Sequence, residues 1–304
     1  AELADARRSA ERLGIEFHEF HWREEFFRLV QTPFIRTYQA GQTPNPCVMC
    51  NERLKFGTLF ARADALGAQY VATGHYARVE QTATGRWLLR RGCDPRKDQS
   101  YFLFSLRQNQ LARALFPLGG QTKTTTREKA RHCQLQTADK AESMEICFVP
   151  GNDYGQFLRQ HAPGPARRGE IVDTSGRVLG HHEGIEFYTI GQRRGLRISA
   201  PHPWYVVDLD PERNRVVVGD NAALERDEFI VERCNWIPFD TPDAAVEATV
   251  KIRYNHKETP ATITPLDGAQ ARVRLHVPQR AITPGQAAVF YQDDLVLGGG
   301  WIRR

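Results

Sequence analysis

The pattern of predicted secondary structure changes near Gly169. Before this residue, stretches with helical spacing of apolar residues alternate with short apolar runs, which is typical of a parallel α/β sheet. After it, and most clearly from Phe229 onward, short strand-like runs separated by turns predict a small β-barrel. We therefore predict the α/β class for residues 1–155, as a partial parallel-sheet domain, then a small linking domain over 156–218 and a C-terminal β-barrel over 219–304.

Local signals predict the individual elements. Apolar residues at helical spacing in the first thirteen positions are followed by Gly14, a residue typical of helix ends. Thr125 and Glu128 have the spacing of a capping box at the start of another helix. The predicted helices are 1–13, 23–38, 50–66, 101–104 and 125–135; the predicted strands are 15–20, 70–75, a hairpin over 170–179, 204–208 and 215–219.

The composition is that of an ordinary globular protein. Apolar residues make up 41% of the 304 residues, charged residues make up 25%, and the net charge is +5. This small excess permits a nucleic-acid partner without indicating one. No apolar run approaches the roughly 18–20 residues that span a bilayer, and no signal-peptide pattern opens the printed sequence. We therefore expect a cytoplasmic protein with no membrane partner.

Three of the six cysteines carry the strongest chemical signal. Cys47 and Cys50 form a Cys-x-x-Cys pair on a proline-stiffened loop at the start of a predicted helix. Because the positive end of a helix dipole favours a thiolate, we expect the pKa of both thiols to be lowered. Cys147 lies in a later loop that we predict to reach the same edge of the sheet.

Spacing alone leaves the chemistry of these thiols open. Three thiols and a histidine such as His75 would complete a tetrahedral zinc site. A sulfur relay through a persulfide and a mixed disulfide, or an iron–sulfur cluster with one open iron, needs no histidine. A thiol–disulfide oxidoreductase built on Cys47 and Cys50 and a chance spacing of core cysteines are the remaining alternatives.

The chain also contains a series of short motifs. In order, they are Thr43-Pro44-Asn45-Pro46-x-x-x-Cys50-Asn51, Ala72-Thr73-Gly74-His75-Tyr76, Lys97-Asp98-Gln99-Ser100-Tyr101-Phe102-Leu103, Ile146-Cys147-Phe148, Gly191-Gln192-Arg193-Arg194-Gly195-Leu196, Trp204-Tyr205-Val206-Val207, Arg253-Tyr254 and Thr283-Pro284-Gly285-Gln286. Together they cover essentially the whole chain, and in this order they resemble the tRNA-specific 2-thiouridylase family of bacteria and organelles.

The resemblance implies an ATP-dependent enzyme that puts sulfur on the anticodon wobble uridine of tRNA. ATP, with Mg²⁺, activates the 2-oxygen as an adenylate on a PP-loop ATPase-like, nucleotide-binding α/β domain. In the family, a persulfide at the position of Cys147 carries the sulfur, and a cysteine at the position of Cys50 frees it by forming a disulfide. The implied partners are tRNA and a sulfur-donor or sulfur-carrier protein.

The resemblance also assigns binding residues by position. Gly74 matches a nucleotide contact, and the loop of Asn45, Pro46 and Cys47 matches a contact to the target base. Further tRNA contacts are implied at His75, Lys97, Asp98, Gln99, Arg253, Tyr254 and Gln286. These residue types suit the role, because basic side chains hold phosphates and aromatic rings stack on an unpaired base.

Two features depart from the family pattern. The family's glycine- and serine-rich phosphate loop does not occur in the printed sequence, and we expect it upstream of Ala1; the alternative is a catalytically inactive tRNA-binding protein. Cys47 occupies a position where many members carry aspartate. Since thiolates bind iron better than carboxylates do, this cysteine favours a [4Fe–4S] cluster held by Cys47, Cys50 and Cys147.

Overall fold

The helices lie mainly in the first half of the chain. The structure is a computed structural model that describes residues 2–140, 146–198 and 202–303. The helices are α1 (Glu2–Leu13), α2 (Arg23–Phe26), α3 (Thr32–Gln39), α4 (Pro46–Met49), α5 (Leu59–Ala65), α6 (Gln108–Leu111), α7 (Lys123–His132) and α8 (Tyr154–His161). Two π-helical segments, Phe27–Gln31 and Cys50–Thr58, join α2 to α3 and α4 to α5. Short 3-10 turns occur at Ser100–Leu103, Pro150–Asn152, Ile185–Phe187 and Ala222–Leu224.

Within the described residues the strands form three sheets. The first is the parallel pair β1 (Val71–Ala72) and β4 (Ala114–Leu115). The second has the order β6-β5-β8-β7 and consists of β5 (Gly169–Asp173), β6 (Val178–His182), β7 (Tyr205–Asp210) and β8 (Arg215–Gly219). The third contains β2 (Ala77–Gln81), β3 (Trp87–Arg91), β9 (Glu225–Trp236), β10 (Val246–Lys251), β11 (Thr259–Leu266), β12 (Gln270–Arg280), β13 (Ala287–Gln292) and β14 (Leu295–Ile302).

Strands β9 to β14 close into a barrel. The sheet order is β13-β10-β11-β12-β9-β14, and β13 pairs with β14 as well as with β10, which closes the ring. In β12, buried residues such as Val273 alternate with exposed ones such as Arg274, as the two-residue period of a strand requires. Closure leaves these six strands without a free edge.

Strand β13 is buried on both of its faces. Ala288 and Phe290 pack inside the barrel, whereas Val289 and Tyr291 belong to a second cluster that includes Tyr101 of the α/β domain. The Tyr101 hydroxyl also donates to the carbonyl of Ala287, at 2.9 Å. The barrel wall is therefore also part of the core of the α/β domain.

The structure confirms the predicted fold class: an α/β domain with a parallel strand pair, a small sheet domain and a C-terminal barrel. Strands were correctly expected near 170–179, 204–208 and 215–219. The short helix expected at 101–104 is a 3-10 turn, Ser100–Leu103.

Three local predictions were wrong or incomplete. Residues 15–20 form no strand; they have no strand partner among the described residues, and Ile15 is 60% exposed. Helix α7 begins two residues earlier than expected, because Thr122 caps it: the Thr122 hydroxyl accepts from the Thr125 N–H at 3.2 Å. The hairpin β2–β3 was not predicted, and it extends the barrel sheet through the pairing of Arg90 with Leu295.

In the part of the chain that the structure describes, no helix is both long enough and apolar enough to cross a bilayer.

Gly299, in strand β14, provides a test of the packing between the barrel and the α/β domain. A Cβ at this position would lie 2.5 Å from the Ala288 carbonyl oxygen and 2.8 Å from the Phe104 ring, so there is no room for it between the barrel strand β13 and the α/β domain. We expect Gly299→Ala to lower the free energy of unfolding by about 1–3 kcal/mol, as overpacking does. Urea unfolding followed by tryptophan fluorescence measures this. Gly120→Ala is the control, because nothing lies within 4 Å of its Cβ; equal stabilities of the two variants would contradict the expectation.

Candidate active site

The loop that precedes Cys47 is held at the start of a helical run. The Asn45 side-chain oxygen accepts from the backbone N–H of Val48, at 3.3 Å, and so caps helix α4. Pro46 occupies the first turn, where a missing N–H costs nothing. Asn45 and Pro46 are buried, Cys47 is exposed, and Cys50 is half-buried at the start of the π-helical segment.

Cys147 lies on an exposed turn that is anchored from behind. The N–H of Val149 donates to the carbonyl of Ile146, at 2.9 Å, which closes the turn. The ring of Phe148 packs edge-on against Phe34, with centroids 5.1 Å apart, and Val149 is fully buried. The Cys147 thiol is therefore exposed, while the neighbouring Phe148 and Val149 attach the turn to the core.

The structure brings the three predicted thiols together. Cys147 and Cys50 each interact electrostatically with Cys47, and Cys147 also interacts with Cys50. All three are free thiols in this structure. Their mutual electrostatic influence places thiols from two separate loops in one neighbourhood.

The prediction that these thiols have lowered pKa values was wrong. Desolvation of the thiol, and then the neighbouring Cys147 and Cys50, raise the pKa of Cys47 to about 11, although part of the residue is exposed. Desolvation likewise raises the pKa of Cys50. The loss of hydration disfavours the thiolate more strongly than the surrounding positive charge favours it.

That positive charge comes from Lys55, which the sequence argument did not identify. Lys55 lowers the pKa of both Cys50 and Cys47, against the effect of burial. It follows Cys50 by five positions within the π-helical segment Cys50–Thr58. In an α-helix, side chains three and four residues apart lie close together, so a spacing of five is not an α-helical signal.

The thiols do not form a preformed metal site. Among residues 2–140, 146–198 and 202–303, no group of three or more His, Cys, Asp or Glu side chains is arranged to hold a metal ion. Neither the zinc alternative nor the predicted cluster on Cys47, Cys50 and Cys147 therefore has a ligand set here.

His75 is buried rather than presented to a ligand. It is 6% exposed, and its ring lies 5.9 Å from those of Phe56 and Phe116. Its Nδ1 hydrogen-bonds the Thr73 hydroxyl at 2.7 Å, and burial, followed by the charge of Lys55, lowers its pKa to about 4. The ring is thus neutral at pH 7 and unavailable for stacking on a base in this conformation.

Gly74 has open surroundings. It is exposed just beyond the end of β1, and a Cβ there would meet only Leu118, at an ordinary 3.8 Å. Packing within the chain therefore does not require glycine at this position. A glycine in such a place lets another molecule approach the backbone closely.

Two of the three residues in the Lys97–Gln99 loop stabilise the loop through hydrogen bonds to backbone N–H groups. Asp98 is buried and accepts from the N–H groups of Gly92 and Ser100, both at 3.1 Å. The Gln99 side-chain oxygen accepts from the N–H of Tyr76, at 3.1 Å. Lys97 is half-buried at the start of this loop.

Tyr254 joins the barrel to this loop, while its neighbour Arg253 donates to the carbonyl of Arg280 at the end of β12, at 3.4 Å. The Tyr254 hydroxyl donates to the carbonyl of Asp98 at 3.1 Å, and its ring lies 4.4 Å from that of Phe102. Arg253 is half-buried, and burial together with Arg280 lowers its pKa. Asn51, next to Cys50, donates to the carbonyl of Phe102 at 3.2 Å. Contacts therefore run continuously from the cysteine helix to the Lys97 loop and the barrel.

Gln286 faces the cysteine loop. Its side-chain amide donates to the carbonyls of Thr43 and Pro44, at 3.1 and 3.0 Å. Sequence reasoning placed Gln286 among the tRNA contacts, whereas here both amide hydrogens are used within the protein.

Comparison with known proteins adds three family matches along the chain. Residues 1–151 match the tRNA methyl transferase HUP domain, and residues 155–220 match the tRNA methyl transferase PRC-barrel domain. Residues 226–302 match the aminomethyltransferase beta-barrel domain.

Curated relatives are similar over nearly the whole chain. A tRNA-specific 2-thiouridylase MnmA from Geobacter metallireducens is 52% identical over 99% of this chain and 82% of its own length. Proteins of the same name from Geotalea uraniireducens and Moorella thermoacetica are 51% and 50% identical, over 99% and 98% of this chain and 80% and 84% of their own lengths.

The role of Lys55 can be tested by thiol alkylation. We expect Lys55→Met to slow the reaction of Cys50 with iodoacetamide at pH 8 several-fold, because loss of the cation raises the thiol pKa further and lowers the thiolate fraction. Peptide mass spectrometry gives the rate at each cysteine. Lys129→Met removes the same charge from exposed helix α7 and serves as the control. An unchanged Cys50 rate in Lys55→Met would contradict the assignment.

Proposed function

Because this chain belongs to the tRNA-specific 2-thiouridylase family, we propose that it is a tRNA sulfurtransferase that converts a wobble uridine of tRNA to 2-thiouridine at the expense of ATP. The observation that carries the proposal is the convergence of Cys47, Cys50 and Cys147, on two separately anchored loops, at one site. Relatives near 50% identity that bear this enzyme name support it.

The proposed sulfur transfer consists of three displacements. The Cys147 thiolate first attacks the terminal sulfur of a donor protein's persulfide, which forms a persulfide on Cys147 and releases the donor's thiolate. The terminal sulfur of the Cys147 persulfide attacks C2 of the uridine, forms a carbon–sulfur bond and displaces AMP, which departs with the former 2-oxygen. The Cys50 thiolate then attacks the Sγ of Cys147, forms a Cys50–Cys147 disulfide and releases the sulfur on C2. A thiol reductant must reduce this disulfide before the next turnover.

Electrostatics at the site suit such a sequence of steps. Neighbouring thiolates repel one another, and burial disfavours the thiolates of Cys47 and Cys50, so ionisation of one thiol at a time is favoured. Lys55 stabilises the thiolate that forms. The resulting disulfide is uncharged, so neither cysteine remains as a thiolate at a poorly hydrated site.

ATP supplies the leaving group. A uridine carbonyl oxygen departs poorly, and adenylation turns it into part of AMP. Within this chain, Gly74 is the residue that we assign to the nucleotide, because its backbone is exposed and a Cβ there would meet no atom nearer than the Leu118 side chain, at 3.8 Å. The match to a HUP domain over residues 1–151 supports the use of ATP.

We assign tRNA binding to the surface that joins the two loops and the barrel. Lys97 and Arg253 supply positive charge, and their chain neighbours Asp98 and Tyr254 are hydrogen-bonded to each other. Asn45 and Pro46 shape the loop that carries Cys47 beside the target base. His75, Asp98 and Gln99 act in this proposal by supporting these loops from within the protein.

Two rival functions are less well supported. The function of a tRNA-binding protein without catalysis does not explain why three thiols lie close together. An iron–sulfur enzyme requires a three-thiolate ligand set, and the described thiols are not arranged as one. We therefore favour the persulfide relay and assign no step to a cluster.

Cysteine variants separate the relay from the cluster. In the full-length gene product we expect Cys50→Ser and Cys147→Ser to lower thiolation of tRNA to background while tRNA affinity stays within about twofold, because only the nucleophiles are lost. Cys47→Ser is the matched comparison and should keep most of the activity. Thiolation is measured by mass spectrometry of the tRNA nucleosides. Loss of activity in Cys47→Ser to the level of the other two would contradict the relay and support the cluster.

Charge removal tests the tRNA surface. We expect Lys97→Ala and Arg253→Ala each to weaken tRNA binding and to reduce the slope of log affinity against log salt by about 0.7–0.9, the effect of one lost phosphate contact. Filter binding at several salt concentrations gives both quantities. Arg272→Ala is the control, since Arg272 pairs with Glu228 elsewhere on the barrel, at 3.7 Å. Unchanged slopes in both variants would exclude these residues as phosphate contacts.

A further inference from the structure

A turn of the barrel grips the loop that carries the cysteine pair. The side-chain amide of Gln286 donates to two successive carbonyls of that loop, those of Thr43 and Pro44. From the same turn, the Pro284 carbonyl accepts from the N–H of Thr43, at 2.9 Å. Three hydrogen bonds therefore join two segments that lie more than 240 positions apart in the sequence.

The fit between the two segments is also steric. Gly285 has a φ of +87°, and a Cβ there would lie 2.9 Å from the Thr43 carbonyl oxygen and 3.0 Å from the Cβ of Gln42. Both the backbone conformation and the space thus require glycine at this position. The turn and the loop meet backbone to backbone.

The composition of the loop explains why it needs an external partner. Pro44 and Pro46 have no N–H, so the loop cannot pair its own backbone groups as a strand or a regular turn does. Buried carbonyls without donors are costly. Gln286 supplies the donors, and the loop then delivers Asn45 to cap the helix on which Cys47 and Cys50 lie.

We propose that Gln286 is a positioning residue for the cysteine pair: it holds the Thr43–Pro46 loop against the barrel and thereby keeps Cys47 and Cys50 in place beside Cys147. What the thiols do once they are in place rests on the proposed function. The positioning of the loop by Gln286 rests only on the contacts described above. Through these contacts the barrel touches the loop that carries the reactive cysteines.

Loosening this grip changes the surroundings of the thiols in a defined direction. Desolvation is the largest effect that raises the pKa of Cys47 and Cys50. Release of the loop admits water, so both pKa values fall and the thiolate fraction at a fixed pH rises. A fall of half a unit to one unit increases that fraction about three- to tenfold.

The experiment is alkylation of the tRNA-free protein with iodoacetamide between pH 7 and 10, with the rate at each cysteine read by peptide mass spectrometry. Gln286→Glu keeps the shape of the side chain but replaces the donating amide with an acceptor. Gly285→Ala disturbs the same contact and leaves the Gln286 amide intact. Gln279→Ala is the control, because that amide donates to the carbonyl of Val277, in its own strand, at 3.3 Å. The affinity for tRNA is measured in parallel.

Cys234 reports on the barrel itself. It is half-buried there, and desolvation raises its pKa to about 12. In both loop variants we expect Cys47 and Cys50 to react about three- to tenfold faster at pH 8, with Cys234 and the tRNA affinity unchanged within twofold. Gln279→Ala should behave as the wild type does.

Two results would overturn the proposal. Unchanged alkylation of Cys47 and Cys50 in Gln286→Glu, together with weakened tRNA binding, would make Gln286 a tRNA contact instead. A parallel increase at Cys234 in both variants would mean that the turn only stabilises the barrel. Alkylation requires no ATP, tRNA or sulfur donor, so failure of the proposed thiolation activity would leave either result interpretable.

Discussion

The burial of strand β13 on both faces is the constraint on which the rest of the structure depends. One face fills the barrel with Ala288 and Phe290, and the other contributes Val289 and Tyr291 to the α/β core. A strand held in this way cannot slip by one residue, because a slip would exchange its two sets of side chains. The residue just before it, Gln286, is therefore presented to the cysteine loop at a defined place.

This arrangement explains why a barrel so far along the chain belongs to the active site. The tight contact between Gly285 and Thr43, the Tyr254 bond to Asp98 and the Tyr101 bond to β13 all cross the same boundary. Each joins a loop of the α/β domain to the barrel. In the proposed enzyme, the surface that holds tRNA and the loops that hold sulfur are thus parts of one packed unit.

The thiols illustrate how burial and charge compete at such a site. Cys50 begins a helical segment, and Lys55 lies close enough to favour its thiolate, yet desolvation still raises its pKa. The sequence suggested thiols with lowered pKa values because a helix start can be recognised in a sequence. The desolvation that raises the pKa cannot, since it depends on tertiary packing. His75 follows the same rule: its motif indicated a ligand-facing residue, while packing between Phe56 and Phe116 makes it a buried, neutral ring.

Local patterns in the sequence were sufficient to predict the three-part architecture, the β5–β6 hairpin and strands β7 and β8, because periodicity and turn residues are properties of the chain itself. The order of the motifs led to the three cysteines as site residues, and that assignment stays a prediction. Whether residues 15–20 formed a strand, where the β2–β3 hairpin paired and what Gln286 contacted were decided only by the tertiary structure. Strand pairing, desolvation and the partner of a side chain all depend on residues distant in sequence. The link from Gln286 to Thr43 spans 243 positions, and no local pattern encodes it.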